Sequence, residues 1–177
     1  MNLPKNINQE RLITPSEIAA VAADGAQDAV YLAKMRAEAE KYILSFDWCQ
    51  GLADVRFGGG IGKIVAAFLV QLVETRPPTV DEWLWVVVGD TPSAFLVADG
   101  APDGAAAIRV YCDLMQDWVD AVRQKRKMSE VFPVKAPADQ KHADLLATRL
   151  VLLRDEIIPQ IELQLLEMER RHRADRP

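Results

Sequence analysis

Asp81-Glu82-Trp83-Leu84-Trp85-Val86-Val87-Val88-Gly89-Asp90-Thr91-Pro92-Ser93-Ala94-Phe95-Leu96-Val97-Ala98-Asp99 is the stretch that decides the fold. Two runs rich in Val, Trp and Leu flank Gly89-Asp90-Thr91-Pro92, a cluster of turn residues, and this predicts strands at Glu82 to Val88 and Ser93 to Ala98 joined as a hairpin. Paired in register across that loop, Val88 faces Ser93, Val86 faces Phe95, Leu84 faces Val97 and Glu82 faces Asp99. On the other face Trp83 meets Ala98, Trp85 meets Leu96 and Val87 meets Ala94. Both faces are then apolar. A sheet with one wet face alternates apolar and polar residues, so both sides of this hairpin need cover from helices, a ligand or another subunit. Aromatic residues are enriched at interface centres, which makes Trp83 and Trp85 candidate partner-binding residues if either is left exposed.

The same register sets Glu82 against Asp99, with Asp81 and Asp103 close by in sequence. Like charges directly across a strand pair are destabilising, so something has to offset them. Solvation at the sheet's end, helped by an arginine such as Arg76 or Arg109, is one solution. An acidic patch of Asp81, Glu82, Asp99 and Asp103 that receives a basic partner is a second. A divalent cation on oxygen ligands is a third, although no EF-hand spacing is present.

Working outward, short β-type runs at Leu52 to Phe57 and Lys63 to Val73 predict two further strands. Their connections are Gly58-Gly59-Gly60-Ile61-Gly62 and Glu74 to Asp81, both short enough for hairpins. The simplest topology is a four-stranded antiparallel meander. Helical patterns lie on either side of it, so the fold class is α+β: N-terminal helices, a central helix and a long C-terminal helix packed on the sheet. Thr14-Pro15-Ser16-Glu17 reads as a helix start, with Thr as N-cap, Pro at the first position and Glu closing a capping box. Helix is expected from there to about Tyr42, with a break at Asp24-Gly25. From Pro102 to Arg123, residues Ile108, Tyr111, Cys112, Met115, Trp118, Val119 and Val122 form one apolar stripe. The final helix, Ala138 to Arg171, carries Leu146, Leu150, Leu153, Ile157, Ile161, Leu165 and Met168 at helical spacing. Its length of about 50 Å exceeds the ~40 Å diameter of a domain this size, so its end is expected to project or to pair. Pro159 is expected to kink it. Residues 1–177 are read as a single domain, with 1–13 a flexible lead-in and 172–177 a flexible tail.

The net charge is −5, and the acid excess lies in residues 1–100, which carry 8 Lys and Arg against 13 Asp and Glu. This argues against a nucleic-acid binder, which needs a basic footprint to displace counterions from phosphate. It suits a basic protein partner. The apolar run Ile64 to Val73 is about half of what a membrane-spanning helix requires, so no membrane partner is expected. Two cysteines make no disulfide framework and no secretory leader is evident, which fits a reducing cytoplasm. Gly58-Gly59-Gly60-Ile61-Gly62-Lys63 fails as a phosphate loop: the required Gly and Ser/Thr positions hold Phe57 and Ile64, and a strand follows where a helix is needed. It reads as a hairpin or bulge. His142 and His172 lie thirty residues apart, too sparse for a histidine metal site or a Ser-His-Asp triad. Cys49 and Cys112 read as small buried apolar residues, and the basic runs Arg123 to Lys127 and Arg170 to Arg176 as solvated helix ends. No catalytic set, cofactor motif or metal-ligand pattern emerges.

Phe46-Asp47-Trp48-Cys49, the Gly-rich turn through Gly62, and the Asp81 to Val97 stretch resemble segments of small uncharacterised bacterial proteins, over about Phe46 to Val122. The resemblance implies a bacterial origin and attaches no activity. The expectation that follows is a non-catalytic interaction protein of the bacterial cytoplasm, of the immunity or antitoxin kind, that binds a basic partner through the acidic sheet end or an apolar helix face. Homodimerisation through the C-terminal helix is compatible with it. The rival expectation is a small-molecule binder or modest enzyme with a pocket between the Trp83 and Trp85 face and the helices.

Overall fold

The computed structural model describes residues 3–14, 16–17, 27–73 and 82–174. Four strands, β1 (Leu52–Ile61), β2 (Val65–Leu72), β3 (Trp83–Gly89) and β4 (Ala94–Val97), form an antiparallel meander in that spatial order. The β3–β4 register is the one the sequence predicts: Leu84 opposes Val97, Trp85 opposes Leu96, Val86 opposes Phe95 and Val87 opposes Ala94. The ladder stops at Leu84 and Val97, however, because Ala98–Gly100 turn into a 3-10 helix. Glu82 and Asp99 are therefore not paired across the sheet, although both line one recess at its end.

Helices of the same chain cover both faces. Leu84, Val86 and Val88 join Ala66, Phe68 and Val70 in a core with Met35, Ala39 and Ile43 of helix α1 (Gln27–Ile43). Trp83, Trp85 and Val87 join Val65, Ala67 and Leu69 in a second core with α2 (Gly104–Arg123) and the final helix. The result is helix, sheet, helix. Every residue of β2 is buried, which is why its sequence runs apolar without alternation. The α2 stripe predicted from spacing is buried at Ile108, Tyr111, Cys112, Met115, Trp118 and Val119.

The Gly-rich segment departs from expectation. Gly58, Gly59 and Gly60 lie inside β1, a register shift falls between Phe57 and Gly59, and the turn to β2 comes later, beyond Ile61. Close packing explains it. A Cβ at Gly58 would overlap the Trp85 ring, and one at Gly104 would overlap the Gly58 carbonyl. Absence of side chains at this crossing lets the first turn of α2 lie directly on β1.

The final helix comprises α3 (Gln140–Leu152), a π-helical turn (Leu153–Ile157) and α4 (Ile158–Ala174). In a regular α-turn the Pro159 ring would meet the Asp155 carbonyl; widening the preceding turn moves that group aside, so Pro159 is accommodated by a π-bulge. The far end of this helix pairs with the beginning of the chain. Of the expected flexible lead-in 1–13, residues 3–13 are docked instead: Ile7 and Leu12 are buried, and Ile13 and Phe57 exchange backbone hydrogen bonds of 2.8 and 3.0 Å. Arg11 binds Asp103 at 2.7 Å and Glu169 at 2.8 Å. His172 Nδ1 lies 2.8 Å from the Glu10 carbonyl, so the expected tail is helical through Ala174.

The predicted capping box is formed. Thr14 donates its N–H to the Glu17 carboxylate at 2.7 Å, and Glu17 N–H points back to Thr14 Oγ1 at 3.4 Å. The expected break at Asp24-Gly25 lies outside the described residues. No described helix is long and apolar enough to cross a membrane.

Candidate functional site

Of the acidic sheet end, the structure keeps Glu82 and Asp99 on one recess and sets Asp103 apart. Asp81 and Arg76 lie outside the described residues. Glu82 accepts a 2.6 Å hydrogen bond from Gln71 Nε2. Asp99 is exposed on the 3-10 turn, where its carbonyl and that of Ala98 accept from Asn6 Nδ2. Asp103 is buried at 7% exposure and is the N-cap of α2: Oδ1 accepts the Ala106 N–H at 2.9 Å while Oδ2 holds Arg11. Arg11 thus supplies the compensation expected of Arg109, which pairs with Glu162 instead. Asp103 belongs to the frame, apart from Glu82 and Asp99, which line one recess. Among the described residues no three His, Cys, Asp or Glu side chains converge as metal ligands do.

The tryptophans are core. Trp85 is fully buried and its Nε1 donates to the Ala101 carbonyl at 2.9 Å. Trp83 is 5% exposed, and its buried Nε1 has no acceptor among the described residues. Pro4, Glu82, Trp83, Ala98 and Asp99 line a recess of about 170 Å³ there, too small for the pocket expected between this face and the helices. Cys49 and Cys112 are buried thiols, as their sequence context indicates, and burial pushes Cys112 up to about 11.

A larger concavity of about 820 Å³ lies on the other face, beside β4. Its walls come from three segments. The first is the end of α1 and the turns after it, where Phe46 N–H bonds the Ile43 carbonyl, Cys49 N–H bonds the Phe46 carbonyl and Ser45 Oγ bonds the Tyr42 carbonyl. These turns fix Tyr42, Phe46 and Trp48 as a group. Phe46 stacks on Trp48 with centroids 5.2 Å apart and meets Tyr42 edge-on at 5.3 Å. The second is Thr91 to Val97, whose Phe95 ring lies 5.2 Å from Phe46 and 5.3 Å from Trp48, both edge-to-face. Tyr111 donates to the Pro92 carbonyl at 2.7 Å and so anchors this segment to α2. The third is Phe132 to Lys135, with the Phe132 ring 6.1 Å from Phe95. Such edge-to-face chains favour a fixed ring geometry.

The polar groups on this groove are hydroxyls and one ammonium: Tyr42, Thr91, Ser93 and Lys135. Burial pushes the Tyr42 phenol up to about 12, so it stays a protonated donor at neutral pH. β4 is the terminal strand of the sheet, and Val97 beside the groove is 52% exposed. Among the described residues no backbone hydrogen bond pairs the outer side of β4 with another segment. A second recess of about 300 Å³ continues from Thr91 and Pro92 to His142, Leu145 and Arg149, where Arg149 pairs with Asp90 at 3.2 Å.

Sequence reasoning did not single out this site. Phe95 is placed correctly opposite Val86, yet its neighbours arrive from a turn and a loop, which carry no periodic signal. Phe132 next to Pro133, an aromatic residue inside a loop, is the one local sign that a ring there packs on something. No family model, curated protein or solved structure matches this chain.

Proposed function

We propose that the protein is a non-catalytic interaction module that binds an extended segment of a partner protein along β4, with partner side chains seated in the aromatic groove. The observation that carries this reading is the coincidence of a ring-lined groove with a sheet edge that no other described segment pairs. An added strand gains main-chain hydrogen bonds from the edge, and alternate side chains then fall into the adjoining pockets. Aromatic walls supply the desolvated centre that dominates interface energetics. The acidic sheet end has no part in this reading.

A test is selection of a random peptide library on the folded protein, followed by amide chemical-shift mapping. Peptides that perturb Phe95, Val97 and Phe132, and that lose binding to the exposed-site variant Val97→Arg, are the expected result. Selected peptides that bind Val97→Arg as well as the parent, or a library that yields none, would sink the reading. The groove volume also lies in the range of small-molecule sites, about 300–1,000 Å³. Native mass spectrometry of the purified protein separates the two, because a small-molecule carrier shows a discrete added mass that Phe46→Ala removes.

A further inference from the structure

We propose that the segment received at β4 is acidic, with apolar or aromatic side chains in the groove and a carboxylate directed to Lys135. This inference rests on the binding reading above and reverses the partner charge expected from composition. Among the groove's lining residues the hydroxyls of Tyr42, Thr91 and Ser93 are able to donate hydrogen bonds, Lys135 supplies a cation, and no carboxylate is present. In the adjoining recess the single carboxylate, Asp90, is already engaged by Arg149, and His142 lies alongside. A basic side chain entering here would meet the Lys135 ammonium, with Asp90 held by Arg149 and the Asp139 carboxylate 2.8 Å from His142 Nδ1. A carboxylate would find donors.

The chain's net charge of −5 points the other way, but over a different range. At physiological ionic strength fields decay over about 8 Å, so the excess acid distributed elsewhere modulates the rate of encounter, whereas contact groups in the groove decide the bound state. Phenol and hydroxyl donors add geometric selectivity, since hydrogen bonds to an ionised acceptor are roughly twice as strong as neutral ones. Alternation along an added strand sends neighbouring residues to opposite faces, so groove anchors fall at every second position.

The experiment uses the full chain and two labelled synthetic peptides with Trp at alternate positions, one carrying Glu and the other Lys at the positions between, read by fluorescence anisotropy. The Glu peptide is expected to bind more tightly by up to about fivefold, the upper range for a partly exposed ion pair. Lys135→Glu, a change at an exposed site, should abolish or invert that preference, and salt near 1 M, where the Debye length is about 3 Å, should erase it. Equal binding of both peptides, with Lys135→Glu silent and the charge-neutral groove variant Phe95→Ala still disruptive, overturns the acidic-partner inference and leaves the groove as the binding site. Binding of neither peptide, or binding that Phe95→Ala leaves intact in a variant that remains folded, overturns the groove reading and this inference with it.

Discussion

Gly104 opens α2, a position where exchange of Gly for Ala ordinarily stabilises a helix by about 1 kcal/mol. Here the added methyl would overlap the Gly58 carbonyl, so the sign should reverse. Gly104→Ala is expected to lower stability by about 1–3 kcal/mol in urea denaturation, as overpacked sites do. A gain on substitution would show that the helix does not sit directly on β1. The two core tryptophans permit a paired test. Both lose ring volume on change to Phe, but Trp85→Phe also deprives the Ala101 carbonyl of its donor, whereas Trp83→Phe removes an indole N–H that has no acceptor among the described residues. Trp85→Phe should be the more costly by about 1–3 kcal/mol, the usual size of an unsatisfied buried polar group. Equal losses would mean that Trp83 Nε1 finds an acceptor in solution, such as a buried water.

Among elements, the amino-terminal segment and the end of the final helix depend on each other through Arg11. It joins the 3-10 turn Gln9–Arg11 to the N-cap of α2 and to Glu169 of α4. Arg11→Ala leaves the Asp103 side chain, only 10% exposed, without its counterion, and should destabilise the protein by about 1–3 kcal/mol. The acid limb should change as well. The hydrogen bond from Arg11 holds Glu169 below the usual carboxylate range, so its contribution is present above the unfolded pKa and lost as pH falls through the folded one. Without Arg11 the urea midpoint should depend less steeply on acidification; an unchanged slope would refute the linkage. This strap also shows which parts of the fold are legible in sequence. Strand pairing at Val86 and Phe95, the α2 stripe and the Thr14–Glu17 box follow from local patterns whose partners are close along the chain. Docking of Arg11 on Glu169 spans most of the chain and depends on where the final helix happens to end. The apolar stripe of that helix is legible, but its destination is not: Leu146, Leu150, Leu153 and Ile161 are spent on the core, and Leu145, Val151, Leu163 and Leu166 are exposed.

For the whole molecule, the two apolar faces required by the Trp-rich hairpin are covered from within, so the buried tryptophans offer no surface to a partner. The groove beside β4 was hidden from sequence because its walls come from three segments of different type. Only the folded chain brings Tyr42, Phe95 and Phe132 together. The same burial gives the molecule an alkaline weakness. Tyr42 is pushed up to about 12 and Cys112 to about 11, from 10.0 and 9.0, and burial raises Tyr111 further. In each case the folded pKa exceeds the unfolded one, so the stabilisation is complete below the unfolded value. It is lost as pH climbs toward the folded value, because the unfolded chain then releases a proton that the folded chain retains. The urea midpoint should therefore hold to about pH 9 and fall progressively from there to about pH 12. Tyr42→Phe and Tyr111→Phe each remove one titrating group and should flatten that decline. The slope is the discriminating quantity, since loss of the Tyr111 bond to Pro92 lowers the curve at every pH without altering its shape. A decline as steep in both variants as in the parent would place the alkaline transition elsewhere in the molecule.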